Sequence, residues 1–451
     1  MPMTSLRSSR LVRLSVLAVL LLVTTPFAIH ALAVLIGRAG QHRAAISVYD
    51  LAIRISPARA VAYRNRGQAK GALGDAAGGN DDLERALALD PDDRLTRWLR
   101  AEALLRLERF DEAAAAARAT IDLDPSHAPS HAQLGFALLR MKRFEDALGP
   151  LQRAAHLAPT RADVIAYRAD AHVQLGNLAQ AEIDSREATR LSPVSEYAHR
   201  IRGLVGLKSR KWQEAADALT VAISLAPDAW SLAMRAEANL WLKQYRKALD
   251  DARRAIALDA DHAEAHHHAA NAANSLGTYD EALLHARRAA SLAPGNGWVM
   301  SQVAHALNGL DKFSEAATAA EKALALEPQN AHALRQAGLA KIRTDQPQDA
   351  IGYLDRAVVV DANYSLGFSL RAQAKAALND GRGALGDALV ALSLDRKSAW
   401  AHFAHARALQ VLGDRRGALA AIELAHSLYP SNALIASVRK DVEAMTTGSR
   451  I

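Results

Sequence analysis

The chain has 451 residues, a formal net charge of +7 and no cysteine. Without cysteine it can have no disulfide framework, no cysteine-based metal site and no lipid attached through cysteine. Its positive charge is spread along the chain, whereas nucleic-acid binders concentrate lysine and arginine in one stripe, so we expect no nucleic-acid partner.

The N-terminal part begins with a basic tail, residues 1–13, and continues as an uncharged apolar stretch, residues 14–36. This stretch is long enough to span a bilayer as a helix. We therefore expect a single-pass anchor in a bacterial cytoplasmic membrane that merges into the first repeat of the chain, with the rest of the chain outside the cytoplasm. The alternative is a signal peptide cleaved at Ala31-Leu32-Ala33, which would leave a secreted or periplasmic protein.

Residues 26–432 repeat a unit of 34 residues about twelve times. The most regular position is a junction, usually a proline, two residues after a Leu, Ile or Val. The junctions are Pro57, Pro91, Pro125, Pro159, Pro193, Pro227, Ala260, Pro294, Pro328, Ala362, Arg396 and Pro430, with one step of 33 between Pro227 and Ala260. Proline lacks an N–H and disfavours helix in the residue before it, so each junction predicts the end of a helix.

Each unit contains two helical patterns with small residues at fixed places. In the unit ending at Pro159 these are Gly135 in the first helix and Ala147 and Ala154 in the second. Two antiparallel helices approach closely only where their side chains are small. One such hairpin cannot bury its apolar face, but a row of hairpins builds a continuous core. The sequence therefore predicts an all-α solenoid of antiparallel helix hairpins.

The spacing of these residues resembles the tetratricopeptide repeat family. The resemblance rests on Leu134, Gly135, Phe144, Ala147, Ala154 and Pro159 and on their equivalents in phase along the chain. It departs from the family pattern where Ala260, Ala362 and Arg396 replace proline. The resemblance implies a right-handed superhelix whose concave face is lined by the first helix of each unit and binds peptides or protein partners.

The C-terminal end follows the last junction. Residues 433–446 have a helical pattern with several charged residues, which a solvent-facing capping helix requires. Residues 447–451 are predicted to be disordered.

No sequence motif in the chain indicates a nucleotide-binding loop or an enzyme active site. There is no GxxxxGK[ST] loop, no HExxH and no GxSxG sequence, so we expect neither an enzyme nor a bound cofactor. His262 and His266 are one helical turn apart, but no third ligand accompanies them, and we expect no metal site.

The resemblance also implies which first-helix side chains face the concave groove. The residues in these places are Trp98, Phe136, Tyr167, Met234, Trp241, His267, Asn271, Asn274, Gln302, His305, Asn308 and Gln336. The first five would hold apolar side chains of a partner, and the Asn and Gln amides would pair with a peptide backbone. The alternative is that the apolar residues are interhelical core and the polar ones solvated surface.

These features predict a non-catalytic, membrane-tethered scaffold that binds partner proteins or peptides in its groove. The alternative is a periplasmic accessory of polysaccharide synthesis or export, which would bind a glycan or a synthase through the aromatic residues. An enzyme with a repeat arm is disfavoured, because the repeats leave no room for a catalytic domain.

Overall fold

The computed structural model describes residues 27–445, and its secondary structure in that range consists of helices without strands. The described part of the first helix, α1, covers residues 27–38. The following helices are α2 (His42–Ile55), α3 (Ala60–Ala72), α4 (Ala76–Leu89), α5 (Arg94–Arg106), α6 (Phe110–Leu123), α7 (Ala128–Arg140), α8 (Phe144–Leu157), α9 (Ala162–Gln174), α10 (Leu178–Leu191), α11 (Glu196–Lys208), α12 (Trp212–Leu225), α13 (Ala229–Trp241), α14 (Tyr245–Leu258), α15 (Ala263–Leu276), α16 (Tyr279–Leu292), α17 (Gly297–Gly309), α18 (Phe313–Leu326), α19 (Ala331–Arg343), α20 (Pro347–Val360), α21 (Ser365–Ala377), α22 (Gly381–Leu394), α23 (Ala399–Val411), α24 (Arg415–Leu428) and α25 (Ala433–Ala444).

Consecutive helices form hairpins, from α1 with α2 to α23 with α24, and α25 follows the last of them. Each hairpin turn contains one residue with a positive φ. These residues are Gly40, Gly74, Glu108, Lys142, Gly176, Arg210, Lys243, Gly277, Asp311, Asp345, Asn379 and Gly413. Glycine adopts this conformation without steric cost, whereas other residues are strained in it. The predicted all-α array of about twelve antiparallel hairpins is confirmed.

The helices group into two compact units that meet in sequence between Leu225 and Ala226. The first contains α1–α12 and the second α13–α25. Within each unit the first helix of a hairpin packs on its own second helix, and that second helix packs on the first helix of the next hairpin. The linker Ala226–Asp228 has three residues, whereas linkers such as Asp90–Asp93 have four. The single 33-residue step in the sequence therefore falls at the boundary between the units.

The small residue in each first helix is matched in size to a residue on the second helix. A Cβ added to Gly135 would lie 2.4 Å from Cγ of the fully buried Leu151. Glycine faces leucine again in Gly67–Leu83, Gly203–Leu219 and Gly338–Leu354. Where the first helix has alanine, the partner in sequence is often alanine too, as in Ala101 with Ala117, both fully buried. Close packing leaves no space for both members to be large.

Four hairpins also contain a buried ion pair between their two helices. Each arginine donates two hydrogen bonds to an aspartate sixteen residues later, at 2.5–2.8 Å. The pairs are Arg66–Asp82, Arg168–Asp184, Arg235–Asp251 and Arg371–Asp387. Two parallel hydrogen bonds fix the relative position of the helices as well as the charge.

The predicted location in a membrane is wrong. Within residues 27–445 we find no helix with both the length and the apolarity needed to cross a bilayer. The C-terminal part of the predicted anchor lies in α1, which packs through Ala33 on Tyr49 of α2. The predicted basic tail, residues 1–13, and residues 14–26 of the predicted anchor lie outside the described residues. Residue 446 of the predicted capping helix and the predicted tail, residues 447–451, also lie outside them.

Candidate functional site

Three of the predicted groove residues lie together in the first compact unit. Trp98 is on α5, Phe136 on α7 and Tyr167 on α9, which are the first helices of three consecutive hairpins. They border an open cavity of about 460 Å³. Its lining residues are Trp98, Glu102, Leu105, Pro129, Ala132, Gln133, Phe136, Arg161, Asp163 and Tyr167. All of them lie on these first helices or, like Arg161, directly before one.

The aromatic rings of this cavity are held in place by one another and by a hydrogen bond. The rings of Phe136 and Tyr167 are 4.7 Å apart between centroids, and those of Tyr167 and Tyr197 are 5.2 Å apart and edge to face. The Tyr197 hydroxyl donates a hydrogen bond of 2.7 Å to Oδ2 of Asp170. Burial raises the pKa of Tyr167 to about 12, so this phenol remains neutral. The result is a rigid apolar wall.

The charged groups at the cavity neutralise one another. Arg161 forms an ion pair with Asp163, and its Nε donates to Oδ1 at 3.1 Å. Arg106 Nη2 lies 2.6 Å from Oε1 of Glu102. Gln133 Nε2 donates to the backbone carbonyl of Trp98 at 3.3 Å, which ties α7 to α5. The cavity therefore presents aromatic surface with paired charges at its edge.

The other two apolar groove residues belong to the second compact unit. Met234 is buried in α13, whereas Trp241 is the last residue of that helix and is 59% exposed. The structure therefore does not assemble the five predicted apolar residues into one described cavity.

Four of the five amides predicted to bind a peptide backbone are hydrogen-bonded to one another. Asn274 Nδ2 donates to the backbone O and to Oε1 of Gln302, at 3.1 and 2.9 Å. Asn308 makes the same two bonds with Gln336, at 3.0 and 2.8 Å. All four side chains are buried. They form a polar ladder between the first helices α15, α17 and α19, which leaves few of their hydrogen-bonding atoms for a ligand.

The remaining three predicted residues lie on α15 and α17. Asn271 is partly exposed. Burial lowers the pKa of His267 to about 4, and burial with the nearby charge of Arg335 lowers the pKa of His305 to about 4. Both histidines are therefore neutral at pH 7. Among residues 27–445, no group of three His, Asp or Glu side chains is placed to hold a metal ion.

Two residues beside these sites escaped the sequence analysis. Tyr197 extends the aromatic row, and His332 lies 5.2 Å from His305 between ring centroids. His332 Nδ1 is 2.9 Å from Ser301 Oγ, which already donates to the Trp298 carbonyl, so the histidine donates at Nδ1. The signal for Tyr197 was its aromatic type about 30 residues after Tyr167, a spacing shorter than the repeat.

Models of two protein families match parts of this chain, and one solved protein has a similar fold. A model of the tetratricopeptide repeat matches residues 64–128 and 304–365, and a model of the ETO1 C-terminal domain matches residues 130–275. Tetratricopeptide repeat protein 36 of Bos taurus is 49% identical over 57 residues, which are 13% of this chain and 30% of that protein. The matched segment thus spans about a third of the relative's length.

Among solved structures, the APC/C hetero-tetramer Cut9–Hcn1 aligns over 91% of this chain and 95% of its own, with 13% identity and a TM-score of 0.55. A tetratricopeptide repeat protein from Parabacteroides merdae aligns over 55% of this chain and 99% of its own, with 14% identity and a TM-score of 0.43. The family models, together with the fold shared with Cut9–Hcn1, support a tetratricopeptide repeat protein.

Proposed function

We propose that this chain is a non-catalytic scaffold that binds a partner protein or peptide at the cavity between α5, α7 and α9. The observation that carries the proposal is the cavity itself, which is lined by three consecutive first helices and contains three aromatic residues. A repeat fold of this kind is consistent with binding of protein partners. Concave, aromatic-lined cavities with a few polar groups are typical binding sites.

The chemistry of the lining favours an apolar or aromatic side chain of the partner. Phe136 and Tyr167 offer a preformed wall, so binding does not require these rings to be ordered. The ion pairs Arg161–Asp163 and Arg106–Glu102 leave no unpaired charge among these four groups to attract a charged ligand. We therefore expect binding to depend little on ionic strength.

In the second unit, Asn271 offers a partly exposed amide beside the buried ladder. Trp241 offers exposed aromatic surface. Both residues should contribute less to partner binding than the cavity does, because the four ladder amides already pair with each other.

The test uses peptides selected on the wild-type chain from a random library displayed on phage. Phe136→Ala should weaken binding of a selected peptide about thirtyfold, since a buried aromatic anchor contributes about 2 kcal/mol or more. Ile183→Ala, at an exposed position of α10, is the matched control and should leave the affinity unchanged. Retained affinity in both Phe136→Ala and Tyr167→Ala would place the binding surface elsewhere.

A further inference from the structure

A second and larger cavity lies in the first compact unit, with a volume of about 650 Å³. The described residues that line it belong to α1, α2 and α3, with Leu95 from α5. We call it the basic cavity, because its charged lining residues are Arg38 and Arg64. No acidic residue lines it, and the first acidic residue of the sequence is Asp50. Asp50 is itself bonded to Arg66, at 2.6 Å.

The two arginines leave positive charge and N–H groups available in the basic cavity. Arg64 Nη1 donates to Oδ2 of Asp93 at 2.6 Å, and its Nε donates to Oδ1 of Asn65 at 3.3 Å. These bonds hold the guanidinium in place, while its Nη2 makes no hydrogen bond with the rest of residues 27–445. Arg38 is exposed, and no acidic group in the same range pairs with it. The cavity therefore has one uncompensated charge, that of Arg38.

His30 adds a hydrogen-bond donor that has no acceptor. Because Asn65 accepts from Arg64 through Oδ1, its Nδ2 faces Nε2 of His30, at 3.4 Å. Nε2 is thus the acceptor, and the proton is on Nδ1, which has no partner among the described residues. His30 is only 8% exposed, and burial with the charges of Arg59 and Arg64 lowers its pKa, so the ring is neutral at pH 7. A buried donor of this kind is unfavourable unless a ligand supplies an acceptor.

The basic cavity is continuous with the aromatic cavity between α5, α7 and α9. A smaller cavity of about 180 Å³, lined mainly by α3 and α5, lies between them. It shares Gln68 and Ala72 with the basic cavity, and Trp98 and Glu102 with the aromatic cavity. One extended ligand can therefore contact all three.

We propose that the basic cavity binds an acidic side chain of the partner segment whose apolar side chain occupies the aromatic cavity, an inference that rests on the proposed function. Arg38, Arg64 and His30 all present donors, and a carboxylate supplies the acceptors and the opposite charge. The cavity is larger than a carboxylate requires. Val34 and Val61 in its lining offer apolar surface to the methylene groups of a glutamate.

The spacing of the two side chains in the partner follows from the packing of the first helices. Consecutive first helices contact each other, as α3 does with α5 and α5 with α7. Packed helices lie about 10 Å apart, so α3 and α7 are roughly 20 Å apart. An extended segment rises about 3.3 Å per residue. We therefore expect the acidic residue about six residues from the apolar one.

The test uses the complete chain and synthetic, C-terminally amidated copies of the peptides selected on it. Replacing glutamate by glutamine, or aspartate by asparagine, at this spacing should weaken binding about fivefold or more. Arg38→Gln should weaken binding of the acidic peptide by a similar factor and leave that of the amide peptide unchanged. Arg43→Gln is the matched control, because Arg43 is also exposed but does not line the cavity; it should leave both affinities unchanged.

Added salt provides a second measurement. Because Arg38 is exposed, salt should reduce the difference between the acidic and the amide peptide. The contact at the aromatic cavity should persist.

Three results would overturn the proposal. Selected peptides without an acidic residue at this spacing would do so, as would equal affinity of the acidic and amide peptides. A requirement for a free C-terminal carboxylate would show that a chain end, and not a side chain, occupies the basic cavity. Loss of affinity in Phe136→Ala but not in Arg38→Gln would remove this inference and leave the proposed function intact.

Discussion

Replacing Gly338 by alanine tests the size-matched contact that joins the two helices of a hairpin. Gly338 lies inside α19, and a Cβ at this position would be 2.6 Å from Cγ and 2.7 Å from Cδ2 of Leu354. Leu354 is fully buried in α20, so its side chain cannot swing into solvent to make room. The new methyl group must displace α20 or force Leu354 from its rotamer.

The size of the effect follows from two opposing contributions. Overpacking a well-packed core costs about 1–3 kcal/mol, and alanine recovers about 1 kcal/mol relative to glycine inside a helix. We therefore expect Gly338→Ala to lower the free energy of unfolding by up to about 2 kcal/mol. Leu354→Ala alone should cost about 2–5 kcal/mol. The double variant should cost at least about 1 kcal/mol less than the sum, because it recreates the Ala304–Ala320 pairing of the preceding hairpin.

The assay is urea unfolding of the complete chain, combined with native-state hydrogen exchange in α19 and α20, since repeat rows open locally. Gly352→Ala is the matched control in the same hairpin, because a Cβ there would meet no atom within 4 Å. It should stabilise the chain by about 0.5–1 kcal/mol. If both glycine-to-alanine changes stabilise the chain equally, or if the double variant is merely additive, the contact between Gly338 and Leu354 does not limit the packing.

Three further predictions concern the turns, the ladder and the histidines. Lys243 has a φ of 56°, so Lys243→Gly should raise the free energy of unfolding by up to about 1 kcal/mol. Lys243→Ala should not raise it, and thermal unfolding distinguishes the two variants. Asn308→Ala leaves the buried Gln336 amide without its donor and should cost about 1–3 kcal/mol in urea unfolding; an unchanged midpoint would contradict the ladder. Because folding lowers the pKa of His267 and His305 to about 4, below the unfolded value of about 6.5, stability should fall as the pH drops from about 6.5 towards 4. The double variant to glutamine should lose less stability over this range, as measured by unfolding midpoints at each pH.

The repeat could be predicted from the sequence because the same packing problem recurs in each hairpin. Where a first helix must approach its second helix closely, only glycine or alanine fits. The position of Gly135 is therefore Gly or Ala in every unit. The sequence also contained the reason for most of these choices, since Gly135 is followed by Leu151 and Ala101 by Ala117 at the same spacing. That relation appears only when the small residue of the first helix is compared with the residue sixteen positions later in the same unit. The strained turn position is less evident in the sequence, because five of its twelve residues are glycine and seven, such as Glu108 and Lys142, are not.

The membrane prediction failed because hydropathy alone does not distinguish an apolar helix in a bilayer from one in a row of hairpins. The alternation of Ala33 with larger apolar residues suits contact with α2, where Ala33 meets Tyr49. A small residue in the repeat register was therefore better evidence than the length of the uncharged stretch.

The polar residues of the second unit show why the pairing of side chains was harder to predict than the fold. Asn274 and Gln302 are not equivalent positions of the 34-residue repeat. The sequence therefore predicted that each of them faces a ligand independently of the other. In the structure, neighbouring first helices contact each other diagonally, so an asparagine late in one helix meets a glutamine earlier in the next, 28 residues on. A similar diagonal contact, over 31 residues, brings Phe136 to Tyr167. The amides of Asn274 and Asn308 donate across this contact to Gln302 and Gln336, whereas the rings of Phe136 and Tyr167 contact each other and still border the cavity. Whether a first helix can bind a partner therefore depends on whether its polar side chains already form hydrogen bonds with the neighbouring first helix. Comparing equivalent positions of successive units does not reveal such bonds.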